Sequence, residues 1–367
     1  MCRIMYIETS KYERLVMPMD VEQWAKKLLM DAARKQASDV HILPTHQKGL
    51  IRYRINGELM DIHETSSILL QKMIAHLKFL SGMDIGERRR PQTSALEMFL
   101  GKHLYSLRLS TFPMTFSETL VIRLLRQGSP PPLKNLTLFH SQAQKLLNFS
   151  FSNHGLILIC GPTGSGKTTT LYSLMNESIF AEKRNVISLE DPVERRHDEF
   201  LQMEVNEKAG VNYAEGLRNV LRHDPDVIMI GEIRDEETAR MAFRAAMTGH
   251  LVLSTLHSST TAMAVRRLEE FGMSRTEISE TLLLAATQTL VRLSCPYCKE
   301  ECHISCSVSR KRAAIFDILY GHDLQGVINR TIPPGSKMED HMKKAYSLGY
   351  LSGFEIKKWE RRSYVKA

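Results

Sequence analysis

The stretch Leu156-Ile157-Leu158-Ile159-Cys160-Gly161-Pro162-Thr163-Gly164-Ser165-Gly166-Lys167-Thr168 decides the fold of this 367-residue chain. Its five leading apolar residues read as a buried strand, and the run that opens at Lys167 reads as a helix. Between them the sequence fits G-x-x-x-x-G-K-[ST] without a mismatch. The glycines let backbone N–H groups curl around a phosphate, and the following helix points its positive end at the same anion. Gly161, Pro162, Thr163, Gly164, Ser165, Gly166, Lys167 and Thr168 are therefore the candidate ATP-binding residues. Lys167 would reach the β- and γ-phosphates, and the Thr168 hydroxyl would sit on Mg2+.

Downstream, strand and helix signals alternate. Strands are predicted at 156–160, 185–189, 200–205, 227–230 and 251–255, and helices near 168–180, 213–222, 236–247 and 260–271. Short strands that are apolar on both faces are those of a central sheet covered by helices on both sides. The fold class is α/β. A phosphate loop needs acidic residues at a second strand end to hold a metal and position water. Glu232 emerges at the carboxyl end of 227–230, where ligands of open α/β sheets bind. Glu190-Asp191-Pro192-Val193-Glu194 follows the strand 185–189, and its proline stops that strand where the carboxylates reach the sheet edge.

Upstream lies a smaller α+β unit, 19–127. It opens with a helix whose Val21, Trp24, Leu28, Leu29 and Ala32 recur at helical spacing behind the N-cap candidate Asp20. Strands are predicted at 39–43 and 50–55 with an Asn56-Gly57 hairpin turn, then a helix over 67–80, then strands at 103–112 and 119–125. Gly128-Ser129-Pro130-Pro131-Pro132 marks a linker over 128–134, because consecutive prolines hold the chain extended. Residues 1–18 carry no periodic pattern and read as an N-terminal extension ahead of a native start at Met19. Residues 307–367 are basic and helix-prone.

Composition narrows the class. Hydrophobic residues make up 43% and charged residues 25%, which excludes disorder, collagen-like repeats and coiled coil as the main architecture. The longest apolar runs fall far short of the roughly 20 residues that span a bilayer. The start lacks the apolar region of a signal peptide, and six cysteines, four of them within 295–306, do not make a secreted disulfide framework. A cytosolic location is predicted. The net charge of +8 is mild. Its basic residues are spread along the chain without dense, aromatic-interleaved patches, so direct nucleic-acid binding is not expected.

Residues 221–235 match, position for position, the signature of the bacterial type II secretion and type IV pilus assembly ATPases. Residues 190–194 resemble that family's aspartate box and 248–257 its histidine box. Segments 37–42, 52–57 and 88–92 resemble the domain that precedes the ATPase core. The similarity runs over about residues 20–300, and the short layout is most similar to the competence-pilus ATPases of Gram-positive bacteria, which serve DNA uptake.

The resemblance implies a RecA-like P-loop core, 135–290, behind a PAS-like small domain. It implies a homohexamer on the cytoplasmic face of the membrane that hydrolyses ATP and works on a polytopic platform protein, and through it on pilin-like proteins. Type II secretion and pilus retraction remain alternative roles within the family; a nucleic-acid motor is the alternative outside it. For the site, it implies that Glu232 orients or activates water, that Glu194 shares metal and water contacts, and that His257 senses the γ-phosphate, with His250 a weaker candidate. It brings Arg108 and Arg123, which alternate with apolar neighbours on strands, to the phosphates. Within 291–367, Cys295 and Cys298 resemble the first half of the family's four-cysteine zinc segment. Cys302 and Cys306 depart from its second half in spacing, so a zinc site, with His303 as a substitute ligand, and a set of free thiols both stand as readings.

Overall fold

A computed structural model describes residues 20–206, 209–298, 306, 311–332 and 335–364. The predicted extension 1–18, together with Cys302 and His303, lies outside the described residues. The chain divides between Gln127 and Gly128 into two compact units. Among the described residues, no helix is long and apolar enough to cross a membrane.

The first unit is a six-stranded antiparallel sheet backed by two helices. Helix α1 (Val21–Arg34) starts where the Asp20 side chain accepts the Glu22 N–H, and it buries Ala25, Leu28, Leu29 and Ala32. Helix α2 (Ser67–Leu80) packs beside it and against the sheet. The strands are β1 (Ala37–Pro44), β2 (Gly49–Ile55), β3 (Glu58–Thr65), β4 (Thr93–Leu100), β5 (His103–Pro113) and β6 (Glu118–Arg126). They lie in the order β3-β2-β1-β6-β5-β4. The β2–β3 turn uses Asn56 and Gly57 at positive φ (53° and 86°), as a tight hairpin of this kind requires. The two outer strands, β3 and β4, are the ones the sequence does not announce. Apart from Leu100 neither buries a residue, so their apolar alternation is incomplete.

The second unit contains the phosphate loop. After α3 (Leu133–Leu136) and α4 (His140–Ser150) come β7 (Gly155–Cys160), α5 (Lys167–Glu182), β8 (Val186–Glu190), β9 (Leu201–Glu204), α6 (Tyr213–Val220) and β10 (Val227–Ile230). Then follow α7 (Glu236–Met247), β11 (Leu251–Leu256), α8 (Thr261–Glu270), α9 (Arg275–Thr281) and β12 (Leu282–Arg292). The sheet order is β13-β12-β7-β11-β10-β8-β9, with β13 (Arg312–Tyr320) antiparallel on β12 and every other pairing parallel.

Alternation along β7 explains why the sheet needs two helical layers. Leu156, Leu158 and Cys160 face a core shared with α6, α7 and α8, whereas Ile157 and Ile159 face a second core shared with α4 and α5. Each buried aliphatic side chain contributes about 1.5–3 kcal/mol, so a polar substitution on either face would cost at least that much stability.

The helix-prone reading of 307–367 needs correction at its start. Residues 312–320 form β13, paired in register with β12 from Leu284↔Tyr320 to Arg292↔Arg312. The buried run Ala313-Ala314-Ile315-Phe316 is too short to stand out beside its basic flanks. The rest is helical as read: α10 (Gly321–Ile328), α11 (Met338–Ser347) and α12 (Gly353–Tyr364).

Candidate functional site

The phosphate loop joins β7 to α5. Gly161, Gly164 and Gly166 take φ values of 143°, 78° and 90°, a region that side chains disfavour. Space is a second constraint: a Cβ on Gly161 would lie 2.6 Å from the Gln288 carbonyl oxygen, and one on Gly166 3.0 Å from Gln288 Nε2. Lys167 is buried and its Nζ donates to the carbonyls of Gly161 (2.9 Å) and Pro162 (3.2 Å). Burial lowers the Lys167 pKa, and the negative charges of Glu232 and Glu194 oppose that shift. The ammonium is thus held by the loop's own carbonyls and feels the charge of both acidic groups. Thr168 is half-buried in the first turn of α5, whose amides carry no side-chain cap.

Gln288, on β12, is a residue that motif reading missed. Its Nε2 donates to the Ser165 carbonyl (2.7 Å), and its Oε1 accepts from the Thr170 hydroxyl (3.0 Å). It thus braces the loop and the first turns of α5 from the neighbouring strand. The available signal was the polar triplet Thr287-Gln288-Thr289 inside an otherwise apolar run.

The acidic side is fixed by strand-end hydrogen bonds. Gly231 N–H donates to the Leu189 carbonyl (2.8 Å), the Thr255 hydroxyl donates to the Gly231 carbonyl (2.7 Å), and Ile233 N–H donates to the Thr255 carbonyl (3.0 Å). Glu232, between them, is held between β8 and β11. Its carboxylate lies 3.0 Å from His257 Nε2 and also pairs with Arg234, which reaches Asp191 at 3.1 Å. Glu194 is exposed, and its backbone N–H bonds to the buried Glu190 carboxylate.

The two histidines of the 248–257 segment separate. His257 follows the carboxyl end of β11, whereas His250 precedes its amino end and bonds the Ala245 carbonyl at 3.0 Å, closing α7. His250 stands at the opposite edge of the sheet from the phosphate loop.

Arg108 and Arg123 belong to the first unit and stand directly opposite one another on β5 and β6. The same cross-strand row continues through Asp39 on β1 to Arg54 on β2. Arg123 Nε lies 3.0 Å and Arg54 Nε 3.7 Å from the Asp39 carboxylate.

Cys295, Cys298 and Cys306 bring their sulfur atoms within 4.8 Å of one another, with Cys295 Sγ 3.6 Å from Cys306 Sγ. The Cys298 N–H, donating at 3.4 Å, leads in lowering the Cys295 thiol to about 7. Clustered thiols of this kind suit zinc. At the phosphate loop the candidate donors are a hydroxyl and carboxylates, Thr168, Glu232 and Glu194. Those hard oxygens suit Mg2+.

Comparison with known proteins agrees in extent with this architecture. The family described as Type II/IV secretion system protein matches residues 18–348. Competence protein ComGA of Bacillus subtilis is 43% identical over 347 residues, 92% of this chain and 98% of that protein. The ComGA protein of Halalkalibacterium halodurans is 40% identical with the same coverage. The type IV pilus assembly ATPase TfpB of Acinetobacter baylyi is 41% identical over 279 residues, 74% of this chain but 47% of that protein. Among solved structures, the Legionella pneumophila ATPase DotB superimposes with a TM-score of 0.72 at 25% identity, covering 92% of this chain and 95% of that one. The pilus retraction motor PilT with bound ADP gives 0.66 at 25% identity, covering 90% and 95%.

Proposed function

The chain belongs to the Type II/IV secretion system protein family and is an ATPase, and from that premise we propose that it powers assembly of a competence pilus that serves DNA uptake. The observation that carries the catalytic part is the convergence of Lys167, Glu232 and His257 beyond the carboxyl ends of β7, β10 and β11. The resemblance to ComGA over nearly its whole length supports the biological part.

In this reading the phosphate-loop amides and Lys167 hold the triphosphate. Thr168, Glu232 and Glu194 would hold Mg2+, which neutralises charge on the phosphates. Glu232 orients the attacking water and receives its proton, and His257, 3.0 Å away, fixes the carboxylate. Such chemistry needs positioning and charge neutralisation more than covalent steps. Arg108 and Arg123 supply further positive charge to the phosphates. We assign the active form as a homohexamer, peripheral on the cytoplasmic membrane face and coupled to a polytopic platform protein. Cys295, Cys298 and Cys306, whose sulfur atoms lie within 4.8 Å of one another, are assigned to a zinc site.

The test has two arms. Lys167→Ala should lose ATP binding, and Glu232→Gln should keep binding while losing turnover; unaltered hydrolysis in both would overturn the catalytic assignment. Deleting the gene should abolish pili and transformation, whereas surplus pili would indicate retraction and intact transformation with a secretion defect would indicate protein export.

A further inference from the structure

Glu190, the last residue of β8, has no place in the mechanism above, yet its carboxylate is 2% exposed and surrounded by donors. Ser188 Oγ donates to it at 2.8 Å and Gln202 Nε2 lies 3.3 Å away. The Tyr172 hydroxyl lies 2.8 and 2.7 Å from its two oxygens, and the Glu194 backbone N–H bonds it as well. Burial pushes the Glu190 pKa up, so the fold pays to keep a carboxyl group there.

The partners of Glu190 grip one short segment. The Tyr172 hydroxyl is 3.0 Å from the Arg195 carbonyl, to which Gln202 Nε2 donates at 2.9 Å. Gln202 Oε1 accepts the His197 N–H at 2.8 Å. Residues 194, 195 and 197 are thus each fastened by a main-chain group to at least one of three side chains: 194 to Glu190, 195 to Tyr172 and Gln202, and 197 to Gln202. Two of these side chains stand on β8 and β9. The third, Tyr172, stands one turn beyond Thr168 on α5, the helix that the phosphate loop opens into. Apolar side chains of equal size would pack the helix on the sheet, but they could not hold the Glu194 amide.

We propose that Tyr172, Glu190 and Gln202 are positioning residues that hold the Glu194 segment in register with the phosphate-loop helix, so that Glu194 meets the metal and water without rearrangement. This rests on the role given to Glu194 above. An ångström of misplacement can cost about 100-fold in rate, and one lost anchor of several should cost about 10-fold.

The experiment is steady-state ATPase kinetics on the full chain with Tyr172→Phe, Glu190→Gln and Glu194→Gln, each with a melting curve and a titration with a fluorescent ATP analogue. Tyr172→Phe and Glu190→Gln should each lower kcat about 10-fold, with KM and analogue affinity close to wild type. Wild-type kcat in both, or a loss of rate that only follows the folded fraction, overturns the clamp. Glu194→Gln separates the two ideas. If it turns over normally, the role of Glu194 fails; if it is slow while Tyr172→Phe is not, the clamp alone fails.

Discussion

Replacing Gln288 by leucine should weaken ATP binding through a residue that no phosphate-loop motif contains. Gln288 is 2% exposed, and its amide satisfies the Ser165 carbonyl and the Thr170 hydroxyl. Leucine keeps the bulk and removes both partners. Each buried polar group left unpaired costs about 1–3 kcal/mol, so the braced loop should lose about 2 kcal/mol or more. At 1.4 kcal/mol per tenfold, that is about a 30-fold rise in the Kd for ATP if the cost falls on the binding-competent loop. Thr170→Val removes one of the two bonds and should raise Kd by about 5-fold on the same scale. The assay is titration with a fluorescent ATP analogue, paired with melting curves that show whether the cost has instead fallen on the fold. Wild-type affinity and an unchanged melting temperature in Gln288→Leu would refute the bracing argument.

Further outcomes follow from the arginine row and the thiols. Arg108→Ala and Arg123→Ala should each cut ATP turnover while leaving ATP affinity nearly intact. Because Arg54 and Ser38 still hold the buried Asp39 carboxylate, losing the largely exposed Arg123 should cost only about 1 kcal/mol of stability. Unchanged turnover in both variants removes them from the mechanism. Protein purified without chelator should carry about one zinc per chain, and less than half an equivalent rejects the site. In metal-free protein, thiolate absorbance at 240 nm should rise with a midpoint near 7 and lose that component in Cys295→Ser. Since the folded thiol titrates below the free one, the stability it adds is complete above the free-thiol pKa and disappears as pH falls through about 7.

What was legible in the sequence was local. The strand, loop and helix around Lys167 lie within a few turns of one another, and Glu232 follows its strand directly, so short-range pattern is enough. Gln288 was not legible as a site residue, and Glu190 was legible only as one member of an acidic cluster, because their roles consist of contacts across the fold: Gln288 meets Ser165 123 residues away and Tyr172 meets Glu190 18 residues away. The histidines are an intermediate case. Composition treats His250 and His257 alike, yet strand direction places one at each end of β11, and a parallel sheet binds ligands at the carboxyl end. The outer strands β3 and β4 escaped notice because a half-exposed strand lacks a complete apolar alternation. β13 escaped because its partner strand is adjacent only after an intervening cysteine segment.

That pairing of β12 with β13 makes the cysteine segment the connection of a hairpin rather than the start of a tail. A single backbone cut between residues 298 and 311 would leave every rung from Leu284↔Tyr320 to Arg292↔Arg312 in place. The two fragments should therefore remain associated, with the second still capping the open rim of the parallel sheet beside Gln288.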